Sequence, residues 1–251
     1  MKLFLMIPDT HRPYHHQKAY NLMLKAGAAL NPDCIILLGD YADIYGANSH
    51  GKHAGVFETL EDEVFDVMAG LQELDDVFPN AKKVFLEGNH EYRLERYINS
   101  NAPALFGLTS IKDILEMDKR PNWTWIPYGP NQMYQVGNSA LWARHEPLGP
   151  TAKASASKAM CSFIHGHTHR IESAYSVGLK GDQFICYSPG WLGDKRKDKI
   201  FGYVKQHHQW NLGFSFVYVD EKTGLFYVHI VNIIEDNGKV SCVANGAKYE
   251  L

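Results

Sequence analysis

The chain has 251 residues, 45% of them hydrophobic and 21% charged, and carries a formal net charge of −3 at pH 7. A chain of that length buries a substantial core, with one domain as the default expectation, and its composition excludes disordered, collagen-like and coiled-coil classes. The small negative charge gives no global attraction to nucleic acid, although Lys195, Arg196, Lys197 and Lys199 form a local basic cluster.

Taken in chain order, the opening run Lys2–Ile7 reads as a buried strand, because Pro8 and Asp9 interrupt it too early for a signal peptide. Gln17–Leu30 follows as a helix and Cys34–Leu38 as a second strand. Phe57–Val77 is a helix, since Leu60, Val64, Val67, Met68 and Leu71 recur at three and four residues. Lys83–Leu86 is a third strand and Glu91–Ile98 a third helix. These strands are continuous apolar runs, the pattern of a sheet covered on both faces, with a βαβ crossover joining the first two.

The second half is richer in strands, at Met133–Val136, Leu141–His145, Cys161–His165, Gln183–Tyr187, Phe214–Val219 and Leu225–Ile230. A short helix, Thr151–Met160, separates two of them. Asn-Gly and Lys-Thr-Gly sequences mark turns near the end. No apolar stretch is long enough to span a bilayer, and a cytoplasmic location is expected. Cys34, Cys161, Cys186 and Cys242 lie far apart without a CxxC pair, which reads as reduced thiols rather than a zinc site.

Polar residues fall at a recurring place. Asp9 and His11 follow the first strand, Asp40 the second, and Asn89 and His90 the third; His145 ends Leu141–His145, and His167 and His169 follow Phe163–Ile164. Five apolar strands thus each deliver a metal-binding residue type beyond the carboxyl end, the edge at which ligands bind in α/β sheets. Glycines at 39, 88 and 166 permit the sharp turns such positions need. The donors are oxygen and nitrogen without thiolate, a set that suits Mn, Fe, Zn, Co or Ni. Two such cations roughly 3.5–4 Å apart can produce a nucleophile from water and offset phosphoryl charge, and Asp40 is the natural bridging carboxylate. Taken singly, Asp9, Asp40 and Asn89 are also good helix caps; it is the set that argues for catalysis.

The ordered series DxH, GDxxD, GNHE, an isolated strand-end His and GHxH, spanning Asp9 to His169, resembles the calcineurin-like metallophosphoesterases. That resemblance implies an α/β (α+β) four-layer sandwich of two mixed β-sheets flanked by helices. It also implies two divalent transition-metal ions, manganese favoured: one held by Asp9, His11, Asp40 and His169, the other by Asp40, Asn89, His145 and His167. His90 would then face the substrate, donating a proton or stabilising the transition state, with Asp43 paired to it and raising its pKa.

Three departures or extensions matter. Ile44 stands where protein Ser/Thr phosphatases of the family carry an arginine, Glu146 stands where many relatives have glycine, and Asp9 to Tyr14 is more similar to the family's DNA-repair nucleases. Arg93, Arg144 and Arg170 sit close in sequence to proposed donors and are candidates for holding phosphate, with structural ion pairs as the competing reading. His165 reads as a hydrogen-bonded core residue, and His50 and His53 as loop residues with a minority chance of touching substrate. The expected activity is hydrolysis of a phosphodiester in a nucleotide or in nucleic acid. A phosphomonoesterase and a non-catalytic scaffold on the same fold remain the alternatives.

Overall fold

A computed structural model describes residues 1–48, 53, 56, 58–201 and 209–251, the side chains of 198 and 199 excepted. His50 and Phe57, both part of the readings above, lie outside the described residues.

The central sheet grows from β1 (Lys2–Ile7), whose side chains are buried from Phe4 onward. Its neighbours are β2 (Cys34–Leu37), β3 (Lys82–Leu86) and β4 (Trp123–Ile126), all parallel, and on the other side β10 (Gly213–Val219) and β11 (Phe226–Asn232), antiparallel. A second sheet has the order β5 (Tyr134–Gln135), β6 (Leu141–Arg144), β7 (Ser162–His165), β9 (Gln183–Pro189), β8 (Ile171–Val177). In it β6, β7 and β9 run parallel, while β5 and β8 are antiparallel edges. Both sheets are therefore mixed.

Alternation along the buried strands builds two cores from one sheet. Phe4, Met6, Ile36, Leu38, Val84 and Leu86 meet Leu141, Ala143 and Ile164 between the sheets. Leu5, Ile7, Ile35, Leu37 and Phe85 point the other way, against α1 (Gln17–Leu30) and α2 (Leu60–Val77). On the far side of the second sheet, Ala152 and Ala156 of α5 (Ala152–Ala159) cover Phe163 and Cys186. Helices, sheet, sheet and helix are the four layers that were expected.

The helices carry their own stop and start signals. His16 caps α1 by accepting from the Ala19 amide, and Thr59 and Asp62 form a reciprocal capping box at α2. Two short helices, α3 (Arg93–Asn101) and α4 (Ile111–Ile114), follow β3, and α6 (Asp198–Phe201) follows β9. No helix among the described residues is long and apolar enough to cross a membrane.

Several elements escaped the sequence reading, the short helices α4 and α6 among them. β4 and β8 are half-exposed edge strands, and their mixed Trp/Thr and Ser/Tyr patterns lack the continuous apolar character of the inner strands. A third sheet, β12 (Ile234–Asp236), β13 (Lys239–Ala244) and β14 (Ala247–Glu250), closes the chain. Its hairpins turn at Asn237-Gly238 and Asn245-Gly246, each with both φ angles positive, the dipeptide suited to tight two-residue loops. Val240, Cys242 and Ala244 pack this sheet into the helical core. Cys34, Cys186 and Cys242 are buried free thiols and Cys161 is half-buried and free, as expected.

One buried carboxyl lies away from the cleft. Glu63 is fully buried at the start of α2, one oxygen accepting from the Gly46 amide and the other without a hydrogen-bond partner. Burial, reinforced by the charge of Asp43, lifts its pKa from 4.5 to about 8. The folded state thus binds this proton more tightly than the unfolded chain, and stability present below pH 4.5 is lost as pH rises through about 8. Glu63→Gln is expected to match the parent's melting temperature near pH 4.5 and to exceed it by roughly 4–10 °C at pH 8.5. Thermal unfolding across pH checks this, and a pH-independent difference would contradict it.

Candidate active site and metal centre

The turns after β1, β2 and β3 and those after β6 and β7 meet at one edge of the sandwich, so both sheets contribute to a single cleft of about 360 Å³. Its lining includes His11, Asp40, Asn89, His90, His167 and His169, with Phe201, Trp210 and Arg170 on the rim.

Within the cleft the seven expected donors form two groups. In the first, His11 Nε2 lies 3.1 Å from His169 Nε2, which is 3.4 Å from Asp9 Oδ1. In the second, His145 Nε2 lies 3.3 Å from Asp40 Oδ2 and 2.9 Å from Asn89 Oδ1, and His167 Nδ1 approaches the same Asn89 oxygen at 2.8 Å. Asp40 stands between them: its carboxylate clusters with His11 and His90 on one side and with His145 and His167 on the other.

The backbone is bent to achieve this. His11, Asp40, His167 and His169 all have φ between 50° and 67°, a left-handed conformation that non-glycine residues rarely adopt and that collects at functional sites. Polar contacts hold the bends. Asp9 Oδ1 accepts from the His167 amide at 2.7 Å and Asp40 Oδ1 from the His90 amide at 2.8 Å. Glu91, fully buried, accepts from the amides of Asp40, Ala42 and Gly88 at 2.7–2.9 Å. Side chains at Gly88 and Gly166 would run into the carboxylates of Asp40 and Asp9, so glycine is required there for close approach.

Asp43 ties His11 to His90. Its Oδ2 accepts from His11 Nδ1 at 2.9 Å and from His90 Nδ1 at 3.1 Å, while its Oδ1 accepts from Arg93 at 2.8 Å. The pairing of Asp43 with His90 was expected; its second bond to His11 was not. A guanidinium can only donate, so the contact between Arg93 Nη2 and His90 Nε2 at 3.1 Å makes that nitrogen an acceptor and leaves the ring neutral. Burial lowers the His90 pKa, and the neighbouring Arg93 works in the same direction against Asp40 and Asp43. The acid form that Asp43 was expected to favour is therefore not the resting one, because burial outweighs the carboxylate.

The electrostatics fit a cation site. Burial would raise Asp40 and Asp9, yet the charges and hydrogen bonds of His145 and His169 hold both carboxylates below their usual range. Burial opposes protonation of His145, but Asp40 lifts it to about 10, and Asp43 likewise raises His11. Protons on imidazoles thus balance a buried anionic cluster, a role that divalent cations fill with the same donors. Asp9 Oδ2 and His169 Nδ1 are buried without a hydrogen-bond partner among the described residues, and two imidazole Nε2 atoms face each other. Such a donor set, left partly unsatisfied without an ion, fits metal binding.

The remaining candidates separate. Arg170 lines the cleft and Arg93 lies directly behind His90, whereas Arg144 ends β6 with a buried side chain and is not a cleft residue. His165 is buried, with Nδ1 donating to the Gly166 carbonyl at 2.6 Å, in keeping with a core role. His53 is exposed and is not part of the cleft. Arg196 of the basic cluster is engaged with Asp194 and Glu235.

Two features were not read from sequence. Glu91 was visible only as part of a motif, since a carboxylate serving three amides has no signature of its own. The second is an aromatic wall: Trp191 stacks on His169 at 4.8 Å, Trp210 meets the same ring edge-on at 4.4 Å, and Phe201 packs on His11 at 5.4 Å.

The sequence model of the calcineurin-like phosphoesterase family matches residues 2–246. The chain belongs to this family. It is a metal-dependent phosphoric ester hydrolase. Among solved structures it is similar to YfcE, a phosphoesterase from E. coli, at 14% identity over 99% of this chain and 98% of that one, with a TM-score of 0.41. A dimetal phosphatase from Danio rerio aligns at 11% identity over 100% and 98%, with a TM-score of 0.46. Vps29 from Entamoeba histolytica, complexed with zinc, aligns at 12% identity over 99% and 97%, with a TM-score of 0.40. No curated protein matches the chain.

Proposed function

We propose that this phosphoesterase hydrolyses a phosphodiester in a nucleotide or in nucleic acid, using two divalent transition-metal ions, manganese foremost. The observation that carries the reading is the joining of two donor groups through Asp40 beside a cleft rimmed by aromatic rings and an arginine. Asp9, His11, Asp40 and His169 would hold one ion, and Asp40, Asn89, His145 and His167 the other. When bound, the ions withdraw charge from phosphoryl oxygens and make water a competent nucleophile at neutral pH.

The chain's own groups supply the rest. Asp43 fixes the ring orientation of His11 and of His90, so the donor and the substrate-facing residue move together. Glu91 fixes the turns that present Asp40 and Asn89. His90, in the cleft wall beside Asp40, acts on the transition state. Trp210, half-buried in the cleft lining and backed by Phe201, offers flat apolar surface on which a nucleobase can stack, and base stacking on aromatic side chains contributes about 1–3 kcal/mol per base.

The test compares substrates. With the manganese-reconstituted protein, kcat/KM for a dinucleotide is expected to exceed that for a nucleoside monophosphate by at least about tenfold, near the contribution of one stacked base. A preference for the monoester would replace this reading with a phosphomonoesterase.

A further inference from the structure

We infer that Arg93 is a catalytic residue whose guanidinium binds a phosphoryl oxygen of the substrate, and that His90 holds it ready until that oxygen arrives.

Arg93 opens α3, immediately beyond the turn that carries Asn89 and His90, and its side chain is only 12% exposed. Nη1 is committed twice, to the Asp43 carbonyl and to Asp43 Oδ1, both at 2.8 Å. These bonds fix the plane of the guanidinium. Nη2 turns to His90 Nε2, its partner at 3.1 Å. That nitrogen lies 3.8 Å from Asp40 Oδ2, the carboxylate common to both donor groups.

A structural salt bridge would be complete with Asp43 alone. What it does not explain is a second guanidinium nitrogen held at an uncharged acceptor on the cleft wall, His90 Nε2. A phosphoryl oxygen entering beside Asp40 is a charged acceptor, and charge-assisted hydrogen bonds are roughly twice as strong as neutral ones. The substrate oxygen therefore displaces His90 Nε2 from Arg93, and no covalent bond is made or broken in the exchange. Charge that develops on the phosphoryl oxygens then meets a fixed guanidinium. His90 aims Arg93 in the free protein and, once released, has an unprotonated Nε2 facing the reacting group.

This inference rests on the phosphoesterase reading, and the experiment separates the two. Protein reconstituted with two manganese ions is assayed on bis-p-nitrophenyl phosphate and titrated calorimetrically with inorganic phosphate. Arg93→Ala is expected to retain both ions, to lower kcat/KM by on the order of 10²-fold, and to weaken phosphate binding about tenfold. Added guanidinium ion is expected to restore part of the lost turnover, a response that a structural role would not give. Arg93→Lys keeps the charge and guards against misfolding of the alanine variant; without the rigid fork it should recover less than tenfold. The effects of His90→Ala and Arg93→Ala should fall short of multiplying in the double variant. Unchanged kinetics and phosphate affinity in Arg93→Ala, absence of guanidinium rescue, or loss of metal from it would overturn the assignment. Failure of the parent protein to turn over substrate or bind phosphate would instead overturn the reading on which it rests.

Discussion

Asp40→Ala is expected to release both metal ions and to lower turnover by on the order of 10³-fold or more. Asp40 is the carboxylate shared by the two donor groups, with Oδ2 directed at His145 and His90 and Oδ1 holding the His90 amide. Truncation removes a charge from both ion sites and unpins the turn that carries Asn89. Asp40→Asn separates these effects, because an amide oxygen can still accept from His90. It should preserve the fold while weakening both ions. Metal content per chain, measured alongside kcat, reads the outcome; a variant that keeps two ions would remove Asp40 from the bridging role.

His90→Ala is the complementary case. Turnover is expected to fall by a factor on the order of 10²–10⁴ while both ions stay bound. The geometry explains the difference. Asp43 keeps its bond to His11 through the same oxygen and its bond to Arg93 through the other, so the metal-donor set survives loss of the ring. Arg93, by contrast, loses the group that aims its free nitrogen. Metal analysis and steady-state kinetics on the same preparation decide it, and loss of an ion from His90→Ala would make that residue a ligand.

The parts of the site legible in sequence were those tied to strand ends. A buried parallel strand is an unbroken apolar run, so the polar residues just beyond it announce themselves, as Asp9, Asp40, Asn89 and His167 do. The covered central sheet followed for the same reason, since β1, β2 and β3 read as buried on both faces, whereas the four layers were implied by the family resemblance. β4 and β8 did not, because edge strands tolerate polar and small residues and resemble loops in composition. The C-terminal sheet was signalled only by its Asn-Gly turns, while its strands are short and largely exposed.

Other parts depend on contacts that no spacing encodes. Asp43 was expected beside His90, but its hold on His11 and Arg93 arises from three segments brought together by the fold. The charge state of His90 turned on burial, which opposes the effect of the adjacent carboxylate. The aromatic wall is assembled from Trp191, Phe201 and Trp210, whose rings meet only in the fold. Arg93 and Arg144 looked equivalent in sequence, each a few residues from a donor, and only the fold ties Arg93 to Asp43 and His90 behind the cleft wall.

The most direct test of the two-metal account is a titration of metal-free protein with manganese, following hydrolysis of bis-p-nitrophenyl phosphate against bound metal. Activity should be absent without metal and reach its plateau when two ions are bound per chain. Turnover that persists in chelator, or none with manganese, iron, zinc, cobalt or nickel at full occupancy, would contradict it.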